Sequence, residues 1–355
     1  MKLLPYPLDF LVHYPFSHYA KTIFTSPPSV DATFLVASKA SSVLLSERKG
    51  NSAHFHPNIA HFNGAPTPDM LDPNSEESTK FKVEGNYYRD VNKKFGLGRG
   101  GFGTLIFETP RMYDNMHGLQ GADGTLGQML AVLKTDAIRD VISTWQASEP
   151  YEWAAFSRKM EPISVHASIK NLDGVFLVGI PEAQANYHCL WAKETGFVLT
   201  AAVPLVVAVG NWALRKGLAE VPYYFLVVPG TQKYRGFFIN DGRVEHYFQA
   251  NTEQYVAGDM QGTMDEALLD NPECADAPLY IWPTEGMDIP KMADQFLRAS
   301  GARPPIVIDD KMIQSVYGEE FLILPSIALC DWVATASIPG HKPLTGPPNA
   351  ILIGE

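Results

Sequence analysis

Three apolar segments in the second half of the chain restrict the fold more than anything else in it. The first, Gly174-Val175-Phe176-Leu177-Val178-Gly179-Ile180, reads as a buried strand followed by a helical stretch ending near Lys216-Gly217. The second runs Tyr223-Tyr224-Phe225-Leu226-Val227-Val228-Pro229-Gly230-Thr231 and continues through Tyr234-Arg235-Gly236-Phe237-Phe238-Ile239-Asn240-Asp241-Gly242-Arg243. That is strand–turn–strand, with Asp241-Gly242 as hairpin-turn chemistry rather than catalysis. The third, Leu279-Tyr280-Ile281-Trp282-Pro283-Thr284-Glu285-Gly286-Met287, runs into a helix.

Around these segments the pattern is α/β. Pro181 suits the first turn of a helix, Gly196 breaks it, and Phe197–Ala202 is extended. Pro204 then begins a helix through Trp212 and Leu214 that stops at Gly217. The order strand–helix–strand–helix follows. In the first half, Phe34–Ala37 and Ser42–Ser46 read as a hairpin around Ser38-Lys39-Ala40-Ser41. The two units, Phe34–Ser46 and Phe225–Val244, echo one another, one near the start of each half. Leu126 to Trp145 has helical spacing, with Leu130, Leu133, Ile138 and Ile142 as core contacts and Thr125 as its cap. Residues 1–30 read as an irregular extension. Residues 50–80, with four prolines, read as a loop or small insertion. Their His54, His56 and His61 have no supporting cysteine cluster and are expected to be structural or solvated rather than metal-binding.

At 355 residues the chain exceeds one typical core, and two lobes are expected. A formal net charge of -11 argues against nucleic acid, whose phosphates need clustered Lys and Arg. Cys189, Cys274 and Cys330 have no metal-ligand spacing and suit a reducing cytoplasm. The N-terminus, broken by Pro5, Pro7 and Asp9, makes a poor signal peptide. The longest apolar run, Val198–Val209, is broken by Pro204 and is too short to span a bilayer. Phe95–Gly103 is glycine-rich, but it lacks a Gly-Lys-Ser/Thr ending and precedes a strand instead of following one. It reads as a turn, which disfavours a dehydrogenase-like oxidoreductase. There is no His-Glu-x-x-His and no Gly-x-Ser-x-Gly. His188 and Cys189, adjacent on a helix, point about 100° apart and make no dyad.

The order of these segments resembles the actin-like family of pilus and secretion assembly proteins: the type IV pilus PilM family and the cytoplasmic part of its type II secretion relative GspL. The resemblance rests on Val175–Pro181 with Ala192–Phe197, on Asn211–Leu214, on the hairpin ending Phe238–Arg243, and on Leu279–Gly286, Ile289–Ala293 and Gly301–Val307. Ile327-Ala328-Leu329 would begin a terminal helix crossing back to lobe one. The match covers residues 170–335 in order and residues 31–48 weakly.

The resemblance implies a two-lobed actin-like (ASKHA, ribonuclease H-like) α/β fold. Lobe one would take residues 1–218, lobe two 221–320, and 321–355 would return to lobe one. It also implies a nucleotide cleft, in which an acid beside each phosphate turn organises a metal while backbone N–H groups approach phosphate. The matching loops are weakened. Ala37 and Val228 stand at the acid positions, Lys39 at a glycine position, and one glycine, Gly286, replaces a run. The remaining nucleotide-loop candidates are Ser38, Lys39, Gly230, Thr231 and Gly286; Glu285 reads as a solvated loop carboxylate. ATP is the only candidate cofactor, and neither it nor a metal is expected to be held. The implied function is a non-enzymatic scaffold at the inner face of the inner membrane. It would bind a short cytoplasmic peptide of an inner-membrane pilus or secretion protein. An ASKHA-type ATPase or small-molecule kinase is the alternative.

Overall fold

A computed structural model of the 355-residue chain describes residues 30–37, 40–49, 52–63, 102–108, 112–119, 123–129, 131–132, 151–164, 166–181, 198–216, 218, 222–230, 233–251, 259–284, 288–299, 303–317 and 325–337. The first sheet is built from β1 (Val30–Ala37), β2 (Ala40–Lys49), β3 (Ser52–Asn63), β4 (Phe102–Phe107) and β8 (Val198–Pro204), in the order β3-β2-β1-β4-β8. β1 is antiparallel to β2 and parallel to β4, and β4 is parallel to β8.

The second sheet contains β9 (Tyr223–Pro229), β10 (Lys233–Asn240), β11 (Arg243–Asn251), β12 (Leu279–Ile281) and β13 (Pro305–Val307). Its order is β11-β10-β9-β12-β13, with β9 antiparallel to β10 and parallel to β12. Each sheet thus has three antiparallel strands followed by two parallel ones, in the same spatial order. The echo between the two strand–turn–strand units is therefore a repeat of whole-sheet topology. This duplicated plan is the two-lobed actin-like α/β fold. The parallel half of the second sheet is short for a covalent reason. Trp282 still donates to Val227 O, but Pro283 has no N–H to continue, and Pro304-Pro305 opens β13.

Two helices occupy the middle. α1 (Leu205–Lys216) is buried along Leu205–Gly210 and at Trp212 and Ala213, because it lies between the sheets rather than on a surface. Arg215 and Lys216 in its last turn oppose the helix dipole. In the second sheet's half, α2 (Asp259–Leu269), α3 (Ile289–Ala299) and α4 (Asp310–Tyr317) follow in turn. Finally α5 (Pro325–Ser337) lies on β1, β2 and β4.

One expectation is corrected: residues 52–63, which read as loop, form the edge strand β3. Pro57 is tolerated there because the ladder slips: Leu44 faces Ile59 and Ser46 faces Phe55, so residues 56–58 bulge opposite Leu45. The apolar strand β7 (Gly174–Pro181) joins neither five-stranded sheet. It is the middle strand of a separate three-stranded antiparallel sheet, β5 (Tyr113–Gly118), β7 and β6 (Tyr151–Phe156). Burial on both faces explains its continuous apolar run. Phe176, Val178 and Ile180 enter the core shared with the main sheets, while Val175 and Leu177 meet Leu119, Leu126, Ala155 and Ile169. Gly179 is required where it stands, since a Cβ there would lie 2.6 Å from the Trp153 ring.

The cap on the helix beginning at Leu126 is as expected and reciprocal. Gln128 N donates to Thr125 Oγ1 at 3.4 Å, and Thr125 N to Gln128 Oε1 at 3.0 Å. The helix expected after Pro181, with His188 and Cys189, lies outside the described residues, as does the glycine-rich 95–101.

Candidate functional site

The three sheets meet where β4 ends and the β9–β10 hairpin turns. Strand alternation sorts the second hairpin. Tyr234 and Phe238 face the core under α2 and α3, while Phe237 and Ile239 face the shared core. Arg235 falls on the shared side and is only 2% exposed. A guanidinium there needs partners, and it has them. Its Nη1 lies 3.5 Å from Oε1 of Glu108, the residue after β4, and its Nε donates to Oδ2 of Asp114 on β5. Tyr247 on β11 donates its hydroxyl to the same Asp114 oxygen at 2.6 Å, and Gln249 Nε2 donates to Asp114 O at 3.4 Å. Glu108 and Asp114 are 3% and 1% exposed.

A bulge in β11 brings Tyr247 to this place. Ile239 pairs with Val244 but Phe238 with His246, so Glu245 is an extra residue. Val244 and Tyr247, three positions apart, therefore both face the shared core.

Electrostatics follow from burial. Desolvation alone would lower the Arg235 pKa. The charge of Asp114, with Tyr247 and Glu108, more than offsets this and holds the guanidinium above its ordinary value. Tyr247 is pushed well above the usual phenol range by burial and by Asp114. Lys233, which bonds Gln249 Oε1 at 3.3 Å, is lowered by burial, partly countered by Asp114. Asp114 Oδ1 and Arg235 Nη2 are buried with no hydrogen-bond partner.

Of the nucleotide-loop candidates, Gly230 is the one the structure describes; Ser38, Lys39, Thr231 and Gly286, like Glu285, lie outside the described residues. Gly230 N donates to Lys233 O at 2.8 Å, so that amide is already used in closing the turn. A Cβ at Gly230 would stand 2.8 Å from Glu108 Oε1 and 3.0 Å from Arg235 Nη1. The turn is pinned from the other side by Thr284, whose hydroxyl donates to Pro229 O at 2.7 Å. Val228 is buried in the shared core and pairs with Arg235 across the hairpin, adding a methyl wall and no carboxylate. Ala37 pairs with Ala40 at the end of the β1–β2 ladder. Asp241 and Gly242 have φ of 47° and 71°, the two positive values a tight two-residue hairpin turn requires.

Glu108 and one oxygen of Asp114 are paired with the Arg235 guanidinium. Among the described residues, no group of three or more His, Cys, Asp or Glu could hold a metal ion. Cys274 and Cys330 are buried. No described helix is long and apolar enough to cross a membrane.

Glu108, Asp114, Arg235 and Tyr247 were not singled out from sequence. A signal existed for one of them. Arg235 interrupts the apolar run Tyr234–Ile239 at a position whose alternation partners are Phe237 and Ile239.

No family model matches the chain, and no curated protein matches it. Solved structures do. A protein of Bacteroides thetaiotaomicron with an actin-like ATPase fold and unknown function overlaps 81% of this chain and 95% of its own, at 8% identity and TM-score 0.46. A PilM-PilN type IV pilus biogenesis complex overlaps 86% and 97%, at 10% identity and TM-score 0.49. The cytoplasmic domain of EpsL, an inner membrane component of the type II secretion system of Vibrio cholerae, overlaps 72% and 81%, at 8% identity and TM-score 0.35.

Proposed function

We propose that this chain is a non-enzymatic scaffold of a type IV pilus or type II secretion-like assembly. It works at the cytoplasmic face of the inner membrane and binds a short cytoplasmic peptide of an inner-membrane partner. The observation that carries the non-enzymatic part is the Arg235–Glu108–Asp114 cluster. At the junction of the sheets, Glu108 and one oxygen of Asp114 are paired with the chain's own cation, and the Gly230 amide is committed to Lys233. The resemblance to the PilM and GspL families, carried by the order of the apolar segments, suggests the assembly. An extended peptide would be held by strand addition or by apolar side-chain pockets. Binding of that kind depends only mildly on salt.

The competing reading, an ATPase or small-molecule kinase of the same fold, requires a carboxylate free to organise a metal in the cleft. Two titrations on the full chain separate the readings. With Mg-ATP, calorimetry is expected to show no saturable heat in the micromolar range. With N-terminal cytoplasmic peptides of inner-membrane proteins encoded nearby, fluorescence is expected to saturate for one of them. Magnesium-dependent micromolar ATP affinity, or phosphotransfer with no peptide bound, would replace the scaffold by the kinase.

A further inference from the structure

We propose that Arg235 is a built-in fastener: one guanidinium joins the first sheet, the small sheet and the second sheet, so that the chain itself locks the junction where they meet. The inference goes beyond the scaffold reading and does not depend on which partner the scaffold serves.

The topology of the cluster is the first argument. Glu108 leaves the end of β4 in the first sheet, Asp114 sits on β5 of the small sheet, and Arg235 and Tyr247 belong to the second sheet. The contacts join residues 121 to 133 positions apart in sequence. No two of the three sheets can separate here without exposing or orphaning a charge.

The second argument is the shape of the donor. A guanidinium presents its donors as a rigid planar fork, so Nε and Nη1 serve two acids on different elements at once. A lysine, a single point charge on a flexible stem, does not hold both in one geometry. The cation also stays charged throughout, because the acids outweigh the cost of its burial.

The third argument is the asymmetry of the remaining contacts. The small sheet is tied to the second sheet along its whole length. At one end are Asp114, Arg235, Tyr247 and Gln249. In the middle, Phe176 stacks edge-on against Phe237 and Tyr247, with centroids 6.1 Å and 4.9 Å away. At the other end, Arg158 donates to Val244 O at 3.1 Å and Glu245 O at 2.9 Å, and Asp173 meets Arg243 at 2.8 Å. Glu108 is the first sheet's contribution to this buried cluster. The small sheet is thus tied to the second sheet by polar contacts at both ends, and the Glu108–Arg235 pair adds a buried charged tie to the first sheet beside the apolar core that all three share.

The test is hydrogen exchange on the full chain, read strand by strand. Glu108→Gln keeps the shape and removes the charge. It is expected to speed exchange at the end of β4 about tenfold and to leave β5 within a factor of three. Arg235→Met is expected to speed exchange on the order of 100-fold at both β4 and β5, while α2 and α3 stay within a factor of three. Arg235→Lys is expected to behave like Arg235→Met at one of the two strands. In the unaltered chain, Mg-ATP is expected to leave β4 and β5 unchanged. Acceleration spread evenly over all sheets, an unchanged β4 in Glu108→Gln, or a β4–β5 response to Mg-ATP would each overturn the fastener. If Arg235→Met does not fold, Glu108→Gln and Asp114→Asn decide: both must loosen their own strand selectively. Failure of this test leaves the peptide titration untouched, so the two proposals fall separately.

Discussion

The two five-stranded sheets repeat one strand order and differ in what their faces cover. In the second sheet each face has a core of its own. Tyr224, Leu226, Phe237 and Ile239 turn to the shared centre, while Phe225, Val227, Phe238 and Phe248 turn to α2 and α3. In the first sheet the described core residues, Leu35, Leu105, Ile106, Phe107, Ala202 and Val203, all belong to the shared centre, and α5 lies over β1, β2 and β4. The difference teaches that duplicated topology does not duplicate cooperativity. The second sheet has an apolar cluster separate from the first sheet's described core, whereas the shared centre depends on both.

The largest test sets neighbouring phenylalanines against each other. Phe237→Ala and Phe238→Ala each remove a fully buried ring and are expected to cost about 3–5 kcal/mol in urea unfolding. Their local signatures should differ. Phe237→Ala should loosen amides in α1 and β7 as well as β10, because its ring touches Gly210 and Phe176. Phe238→Ala should loosen α2 and β11 and spare β1 and β4. Identical exchange maps would break the comparison and make both halves one cooperative unit.

A smaller effect appears at alkaline pH. Tyr224 and Tyr247 face the shared centre, and both are held above the ordinary phenol value, Tyr224 by burial with a contribution from Tyr280. A raised folded-state value means full stability below the unfolded value near 10 and loss as the pH rises beyond it. Each phenol should contribute about 1.4 kcal/mol per pH unit to that loss. Urea midpoints between pH 9 and 11.5 check this, and Tyr247→Phe should flatten the slope. Lys233, lowered by burial, acts in the opposite sense at lower pH and is unchanged in that variant. An unaltered slope would mean that Tyr247 ionises freely while folded.

How much of this was legible in the sequence depended on whether alternation and length agreed. The hairpin Tyr223–Asn240, α1 and the Asp241-Gly242 turn were legible because apolar runs of strand or helix length ended at Pro or Gly. β3 was not, because Pro57 and its surrounding polar residues sit in a bulge that masks the ladder. β7 was legible as a strand but not in its sheet, since a run buried on both faces does not state its neighbours. The cluster was invisible because Glu108 and Asp114 look like ordinary strand-end polar residues, and Tyr247 like an ordinary strand aromatic, until three sheets converge on Arg235.

The smallest test concerns the turn that starts β11. Gly242→Ala places a Cβ at φ 71°, with open space around it, so conformational strain is the whole effect. A loss of about 1 kcal/mol in urea unfolding is expected. A loss below about 0.3 kcal/mol would mean that the sheet, rather than the turn, sets the register of that edge.

The bulge in that edge has a consequence of its own, best stated as parity. Strike out Glu245 and the count still closes: Val244 inward, His246 outward, Tyr247 inward, Phe248 outward. The residue is surplus to the strand. Its carbonyl and carboxylate nonetheless receive Arg158, and its carboxylate also receives Arg243. An insertion of this kind is silent to the core and audible only to the module that grips it. A strand can therefore acquire or discard a docking handle for a neighbouring sheet in a single-residue step, without re-aiming any side chain it already buries.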